Sequence, residues 1–261
     1  METNKVLKFI QVNIFKGRYL DKLLDFLKLE NPDFISMQEV TSDGFNLYKD
    51  KNVNLFEILK SRLELNGVYH GDLKLKGAKN SSFGNAVFAR YEIIKERVLV
   101  LNKFRSVSLD ELDGRGAFEI RPRIPRHLLD ATVDFNGRQI HILSWHGAWI
   151  APPQDTTETL RQAKIVAKYL ESINSPFILG CDMNAVTQSK TVGVINEVAS
   201  NLMMNSGVLY TTNTKIHIIA PRGFLVDYVF TSQHFKLTKL TVPQITVSDH
   251  LPVIAELGFK P

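Results

Sequence analysis

The sequence predicts an α+β domain built as a two-sheet sandwich with helices packed outside. Three observations predict it. Strand-like segments outnumber helical ones, helical patterns flank a middle region made of hairpins, and that order does not build a doubly wound parallel sheet. The 261 residues are 44% hydrophobic and 23% charged, ordinary globular proportions. A chain of this size buries roughly 70–75% of its extended-chain surface, enough core to dispense with disulfides. One cysteine cannot form an intramolecular disulfide or a multi-cysteine zinc site.

Residues 5–13 read as a buried strand, because Val6, Leu7, Phe9, Ile10 and Val12 are apolar or β-branched. Leu20, Leu23, Leu24 and Leu27 recur at helical spacing and form one apolar stripe. Asn31-Pro32 ends that helix, since the residue before proline resists the helical region. Residues 33–40 read as the next strand, with Glu39 near its end, and 54–65 as a weaker helix. Short strands follow at 68–75, 86–89, 93–101, 117–120, 128–135 and 139–144. Asn136-Gly137 joins the last two as a hairpin, because a type I′ turn needs positive φ at both central positions. Pro152-Pro153 breaks the chain. Asp155, with Glu158 three residues on, reads as a capping box for a helix striped by Leu160, Ala163, Ala167 and Leu170. A buried strand at 177–181, a helix at 192–199 and strands at 225–231, 237–242 and 253–257 complete the chain.

No 20–50-residue period repeats and no linker-like stretch interrupts the pattern, so residues 1–261 are expected to form a single domain. No run approaches the 18 apolar residues of a membrane span. The first residues lack the basic and apolar regions of a secretory signal, so a cytoplasmic monomer is expected. Lysine and arginine exceed aspartate and glutamate by 32 to 27, a net charge of +5, which favours anionic partners such as nucleic acid or phosphates. Arg115, Arg121, Arg123 and Arg126 fall within twelve residues. Alone, such a cluster is equally a solvated loop guarding a sheet edge.

Several strands end in polar residues that a core would not choose: Asn13, Glu39, His146, Asp182 with Asn184, Asp227, and Asp249-His250. One carboxylate at a strand end is ordinarily a cap or turn former. Burying so many unpaired would cost a few kcal/mol each. They are less costly if they converge, satisfy one another or bind a cation, and the repetition of the pattern points to convergence.

These residues, in this order, resemble the endonuclease/exonuclease/phosphatase superfamily, metal-dependent phosphoesterases with the deoxyribonuclease I fold. The matching pieces are Gln11-Val12-Asn13, Met37-Gln38-Glu39-Val40, Gly84-Asn85-Ala86-Val87-Phe88-Ala89-Arg90, Trp145-His146, Arg161-Gln162, Asp182-Met183-Asn184-Ala185, Val226-Asp227-Tyr228-Val229-Phe230 and Ser248-Asp249-His250-Leu251-Pro252-Val253. They span about Lys8 to Leu257, and the last is the most specific. The resemblance implies a four-layer α/β/β/α sandwich of two mostly antiparallel sheets. It also implies phosphoester hydrolysis by in-line attack of water. Glu39 would ligate Mg²⁺, with Mn²⁺ a substitute and Asn13 and Asp249 completing the shell; oxygen donors suit such ions. Asp182 would orient the water and take its proton, with Asn184 beside it. His250, held by Asp227, would bind a phosphate oxygen as an imidazolium. His146 would donate to phosphate or assist the leaving group. Asn85 matches a position near the phosphate, and Arg126, with Arg121 and Arg123 as rivals, is the expected phosphate-binding arginine.

Two positions depart from the family. Cys181 precedes the expected catalytic aspartate where glycine is usual, with Gly180 one earlier; a tolerated core change is expected rather than a reactive thiol. Trp145-His146-Gly147-Ala148-Trp149 stands where many members carry Thr-His-Leu. The retained histidine argues against the abasic-site branch, which carries tyrosine. His70, His127, His141, His217 and His234 belong to no motif and read as structural. The expected substrate is DNA or RNA, with a small-molecule or lipid head-group phosphoester as the alternative. An inactive binding module is the remaining, disfavoured reading.

Overall fold

The computed structural model describes residues 6–42, 54–76, 81–103, 105–108, 111 and 121–260. Its elements run β1 (Leu7–Asn13), α1 (Leu20–Glu30), β2 (Phe34–Ser42), α2 (Leu55–Leu63), β3 (Asn66–Leu75), β4 (Ser82–Ala89), β5 (Ile93–Val100), β6 (Ser106–Val107), β7 (His127–Phe135), β8 (Arg138–His146), α3 (Thr157–Glu171), β9 (Phe177–Asp182), α4 (Lys190–Asn196), β10 (Ser200–Asn201), β11 (Asp227–Thr231), β12 (Phe235–Thr241) and β13 (Val253–Phe259). Among the described residues the strands form a seven-stranded sheet, β12-β13-β1-β2-β4-β3-β6, and a six-stranded sheet, β10-β11-β9-β8-β7-β5. Most neighbours are antiparallel. β1–β2, β8–β9 and the short β3–β6 pair are parallel; the connections of the first two carry α1 and α3, the crossover that parallel neighbours require.

Side-chain alternation along each strand separates two cores. In β1, Ile10 and Val12 join Ile35 and Met37 of β2 under the stripe Leu23, Leu24 and Leu27 of α1 and Leu55 and Leu59 of α2. Leu7 and Phe9 belong to the other core, which unites the facing sides of both sheets with Ala163, Val166 and Leu170 of α3. The helices therefore cover the sandwich from outside, as the periodicities predict.

Toward one end, the same inward face turns polar. Gln11 and Asn13 continue the row of Leu7 and Phe9, and Ser36 and Gln38 continue that of Phe34. Gln11 and Gln38 exchange amide hydrogen bonds of 2.6 and 3.1 Å. The Gln38 amide also reaches Ser36 Oγ and Ser144 Oγ at 3.1 and 3.0 Å. Ser144 and Ser36 donate to the carbonyls of Met37 and Gly180, each at 3.0 Å. This buried network bridges the sheets with its polar groups satisfied, the condition under which such a network rigidifies a core.

Gly180 packs directly against the facing sheet. A Cβ there would lie 2.6 Å from Ser36 Cβ and 2.7 Å from Gln11 Oε1. Overpacking of this kind costs about 1–3 kcal/mol. Gly180→Ala is expected to lower the unfolding free energy by that amount, read as a lower urea midpoint at unchanged slope, and an unchanged midpoint would contradict the close contact.

The cap of α3 is one residue later than predicted: the Thr156 side chain accepts from Thr159 N, and Thr159 Oγ1 accepts from Thr156 N. Asp155 instead binds the start of α4, accepting from Lys190 N, Thr191 N and Thr191 Oγ1 at 2.7–2.9 Å. Glu158 pairs with Arg161 at 2.7 Å and accepts from Gln162. α4 starts earlier than the predicted 192–199, because Ser189 caps it. The predicted strand 117–120 lies outside the described residues. No described helix is long and apolar enough to cross a membrane.

Candidate active site

The polar ends of the strands meet at one end of the sandwich, around a cavity of about 860 Å³. Register places three of the predicted residues side by side: His146 of β8 is the partner of Asp182 in β9, and Asp182 is the partner of Asp227 in β11. From the facing sheet, Asn13 Nδ2 donates to Asp182 Oδ2 at 3.0 Å. Asn184 N donates to the other carboxylate oxygen at 3.0 Å, with Asn184 itself at φ +52°. The ring nitrogens His146 Nε2 and His250 Nε2 lie 3.6 and 3.7 Å from Asp182 Oδ2.

Glu39 reaches the cavity through a bulge. The pairing of β2 with β4 shifts register between Met37 and Val40, and Glu39 takes φ +59°. A non-glycine residue held there costs of order 1–3 kcal/mol and persists where its surroundings over-determine it. The bulge re-aims the carboxylate toward Lys16, whose Nζ lies 2.8 Å from Glu39 Oε2. Lys16 is itself buried. Burial pushes the Glu39 carboxyl up, but the charge and hydrogen bond of Lys16, with His250 and Arg126, bring it below its ordinary value.

The remaining charges sort by environment. Burial raises Asp182 to about 7, with His250 opposing and Asp227 adding. Burial raises Asp249 to about 6, with His250 opposing and Glu39 adding. His250 donates from Nδ1 to Asp227 Oδ2 at 2.8 Å. Burial acts against its charge, yet Asp227 and Asp182 hold its pKa well above the ordinary histidine value. His146 has the opposite fate: burial, Arg126 and His250 keep it neutral. Arg126 is buried at the cavity wall, with Nη2 3.4 Å from His146 Nε2 and Nε donating to the Gly147 carbonyl at 3.2 Å. The site thus has an acidic side, Glu39 (paired with Lys16) and Asp249, beside an amide, Asn13. It also has a cationic side, His250 and Arg126.

Of the predicted residues, Asn13, Glu39, Arg126, His146, Asp182, Asn184, Asp249 and His250 line this cavity. Asp227 is fully buried behind His250. Asn85 is fully buried too and donates to the His127 carbonyl at 3.2 Å; it is not in the cavity wall. Among the rival arginines, Arg121 lines the cavity and lies over the Trp149 ring at 4.5 Å. Arg123 faces a separate depression beside Arg161. Apolar residues line the rest of the cavity: Trp149 to Pro153 form one stretch, and Ile216, Ile218, Ile219 and Phe224 belong to a loop between β10 and β11.

Sequence reasoning missed several residues. Asp72, fully enclosed in β3 at a register shift between Gly71 and Leu73, lies 3.5 Å from Arg126 Nη1 and bonds His127 Nδ1. A carboxylate in the middle of a strand was the available signal. Lys16 and His217 also line the cavity, but no motif marks them.

The donor set fits a divalent cation of the Mg²⁺ or Mn²⁺ type. Glu39, Asp249 and the Asn13 amide, whose Oδ1 also accepts from Phe15 N at 3.0 Å, offer hard oxygen atoms, and a bound cation would relieve the repulsion that Glu39 adds at Asp249. Cys181 is not part of this chemistry. It is fully buried, and burial, Asp182 and Asp227 push its thiol well above its ordinary pKa. An alkylating reagent is expected to leave Cys181 unmodified in the folded protein and to modify it after denaturation; rapid labelling of native protein would contradict its burial.

The family pattern described as "Endonuclease/Exonuclease/phosphatase family" matches residues 10–250. No curated protein matches the sequence. Among solved structures, an endonuclease/exonuclease/phosphatase of Bacteroides vulgatus superposes with a TM-score of 0.75 at 16% identity, over 98% of this chain and 100% of that one. The mannosyl-6-phosphatase of Bacteroides thetaiotaomicron gives 0.70 at 17%, over 97% and 100%. D. rerio TDP2, complexed with single-strand DNA product, gives 0.68 at 14%, over 98% and 100%. At these identities the likeness is one of fold.

Proposed function

The chain belongs to the endonuclease/exonuclease/phosphatase family, and from that premise we propose that it is a divalent-metal-dependent phosphodiester hydrolase acting on nucleic acid. The observation that carries the reading is the division of one cavity into an acidic side and a cationic side with Asp182 between them. We further propose that the whole chain acts as one domain, as a monomer, in the cytoplasm.

Glu39, Asp249 and Asn13 would hold Mg²⁺, or Mn²⁺ in its place. The ion, when bound, neutralises phosphate charge and the charge developing on the leaving oxygen. Asp182 positions the attacking water and takes its proton; a carboxylate raised to about 7 is matched to that task near neutral pH. Asn184 holds the loop after β9 against Asp182 and offers its amide to the water or to a phosphate oxygen. His250, kept protonated by Asp227, and Arg126, anchored by Asp72 and the Gly147 carbonyl, present positive charge to the phosphate. His146, neutral here, closes the wall between Arg126 and Asp182.

The apolar walls favour a second reading, a small-molecule or lipid head-group phosphoester whose remainder packs against Trp149 and Phe224. The test is Mg²⁺-dependent cleavage of end-labelled single- and double-stranded DNA and RNA beside a panel of small phosphoesters. Cleavage of the polymers, with affinity falling steeply as salt rises because several phosphates release counterions, supports the nuclease. Hydrolysis confined to small esters, with little salt dependence, supports the second reading.

A further inference from the structure

We propose that His217 is a substrate-contacting residue of this site, donating a hydrogen bond from Nε2 to a non-bridging oxygen of the bound phosphoryl group. The proposal rests on the phosphoesterase reading above and adds a contact from the β10–β11 loop.

The loop is fastened to the segment that carries Asp249 and His250. Thr212 forms a bridge with His250. Leu251 N donates to the Thr211 carbonyl at 2.6 Å, and Asn213 N to the Asp249 carbonyl at 2.7 Å. The Asn213 side chain donates to the Ser248 carbonyl at 3.2 Å. His217 N donates back to the Asn213 carbonyl at 2.8 Å. His217 is thereby held in place relative to His250: the ring centroids are 5.6 Å apart. One of its ring nitrogens lies within 4.8 Å of a His250 nitrogen and of an Asp249 carboxylate oxygen.

The tautomer follows from a backbone contact. Ala220 N donates to His217 Nδ1 at 3.1 Å, so Nδ1 carries no hydrogen. A neutral imidazole with one acceptor nitrogen carries its proton on the other, here Nε2. An Nδ1 that accepts from a backbone N–H belongs to a neutral ring, since the imidazolium has two donors and no acceptor. His217, Asp249 and His250 have the spacing of a metal site, but His250 with both ring nitrogens protonated has no lone pair to offer a metal ion, and His217 Nε2 would have to lose its proton to ligate one. A hydrogen-bond donor beside an imidazolium serves an anion instead.

Two variants separate this role from loop anchoring. His217→Asn keeps an amide oxygen near the Nδ1 position, preserving the acceptor for Ala220 N, and removes the Nε2 donor. His217→Gln keeps an amide N–H near the Nε2 position and loses the anchor. Losing a hydrogen bond to a charged group is worth about ten- to a hundredfold. The Asn variant is expected to lose that factor in kcat/KM and in calorimetric affinity for inorganic phosphate. The Gln variant should stay within about fivefold of wild type in both. Mn²⁺ affinity should be unchanged in either variant. A loss in the Gln variant alone, equal losses in both, or no loss in either overturns the proposal. If the wild-type protein hydrolyses no phosphoester, the reading of its function fails, and phosphate binding by the two variants still decides the role of His217.

Discussion

Asp182→Asn is expected to reduce turnover by about a hundred- to ten-thousandfold, the range that a positioned general base contributes, and to leave the protein folded. The carboxylate is enclosed between two donors, Asn13 Nδ2 and Asn184 N, each at 3.0 Å. An asparagine fills the same volume and keeps one acceptor. Its amide hydrogens meet a donor on the other side, and a buried donor left without its acceptor costs about 1–3 kcal/mol. Against that stands a gain. Asp182 is raised to about 7 in the folded protein, so burial penalises its charged form, and the neutral amide removes that penalty. The sign is that of a group whose ionisation opposes folding: stability falls as pH rises through the unfolded and then the folded pKa. The variant should therefore melt at least as high as wild type above neutral pH while losing its activity. A variant that keeps wild-type turnover would remove Asp182 from the reaction. One that fails to fold would give the residue a structural role that its contacts do not indicate.

His250→Ala is expected to damage both activity and stability. His250 donates to Asp227 at 2.8 Å, and Asp227 is fully buried. Without the imidazolium, Asp227 keeps a 3.4 Å contact from Gln11 Nε2 among its side-chain partners. Breaking a buried ion pair on one side costs about 3–5 kcal/mol. The cost depends on pH. The folded pKa of His250 is raised, so its contribution is fully present below the unfolded histidine pKa and is lost as pH rises through the folded value. The gap in melting temperature between wild type and variant should therefore be widest in acid and narrow in alkali. Activity should fall by at least a hundredfold, since one charge-assisted phosphate contact and the partner of Asp182 disappear together. His250→Gln, which keeps a donor, should recover part of the stability and little of the rate. A pH-independent stability gap would contradict the ion pair.

What the sequence could reveal of this site follows its alternation. Asn13, His146 and Asp182 continue the inward-facing rows of their strands, so period-2 reading places them beyond the apolar stretch and facing the other sheet. His250 is reached through its motif. The bulge that turns Glu39 into the cavity is a matter of register with β4, which no local pattern encodes. Asp72 and His127 are 55 residues apart and meet across strands, so neither has a local partner to reveal it. His217 owes its position to hydrogen bonds between 211–217 and 248–251, two segments each unremarkable in its own composition. The misplaced cap of α3 has a simpler cause. Thr156 competes with Asp155 for the N-terminus, and the start of α4 claims the aspartate. The departure at Cys181 also resolves in three dimensions: Gly180 faces the opposite sheet with no room for a Cβ, while Cys181 points into the core on the other face.

The most direct test of the account is a Mg²⁺ titration of phosphoester hydrolysis, after chelation, in wild type and Glu39→Gln. No activity is expected in the chelated wild-type protein, with saturable recovery on adding Mg²⁺. Glu39→Gln should need at least tenfold more Mg²⁺, because a carboxylate ligand whose loss weakens the acidic side is gone. Full activity in chelator, or superimposable titrations of the two proteins, would contradict a metal-assisted reaction at this cavity.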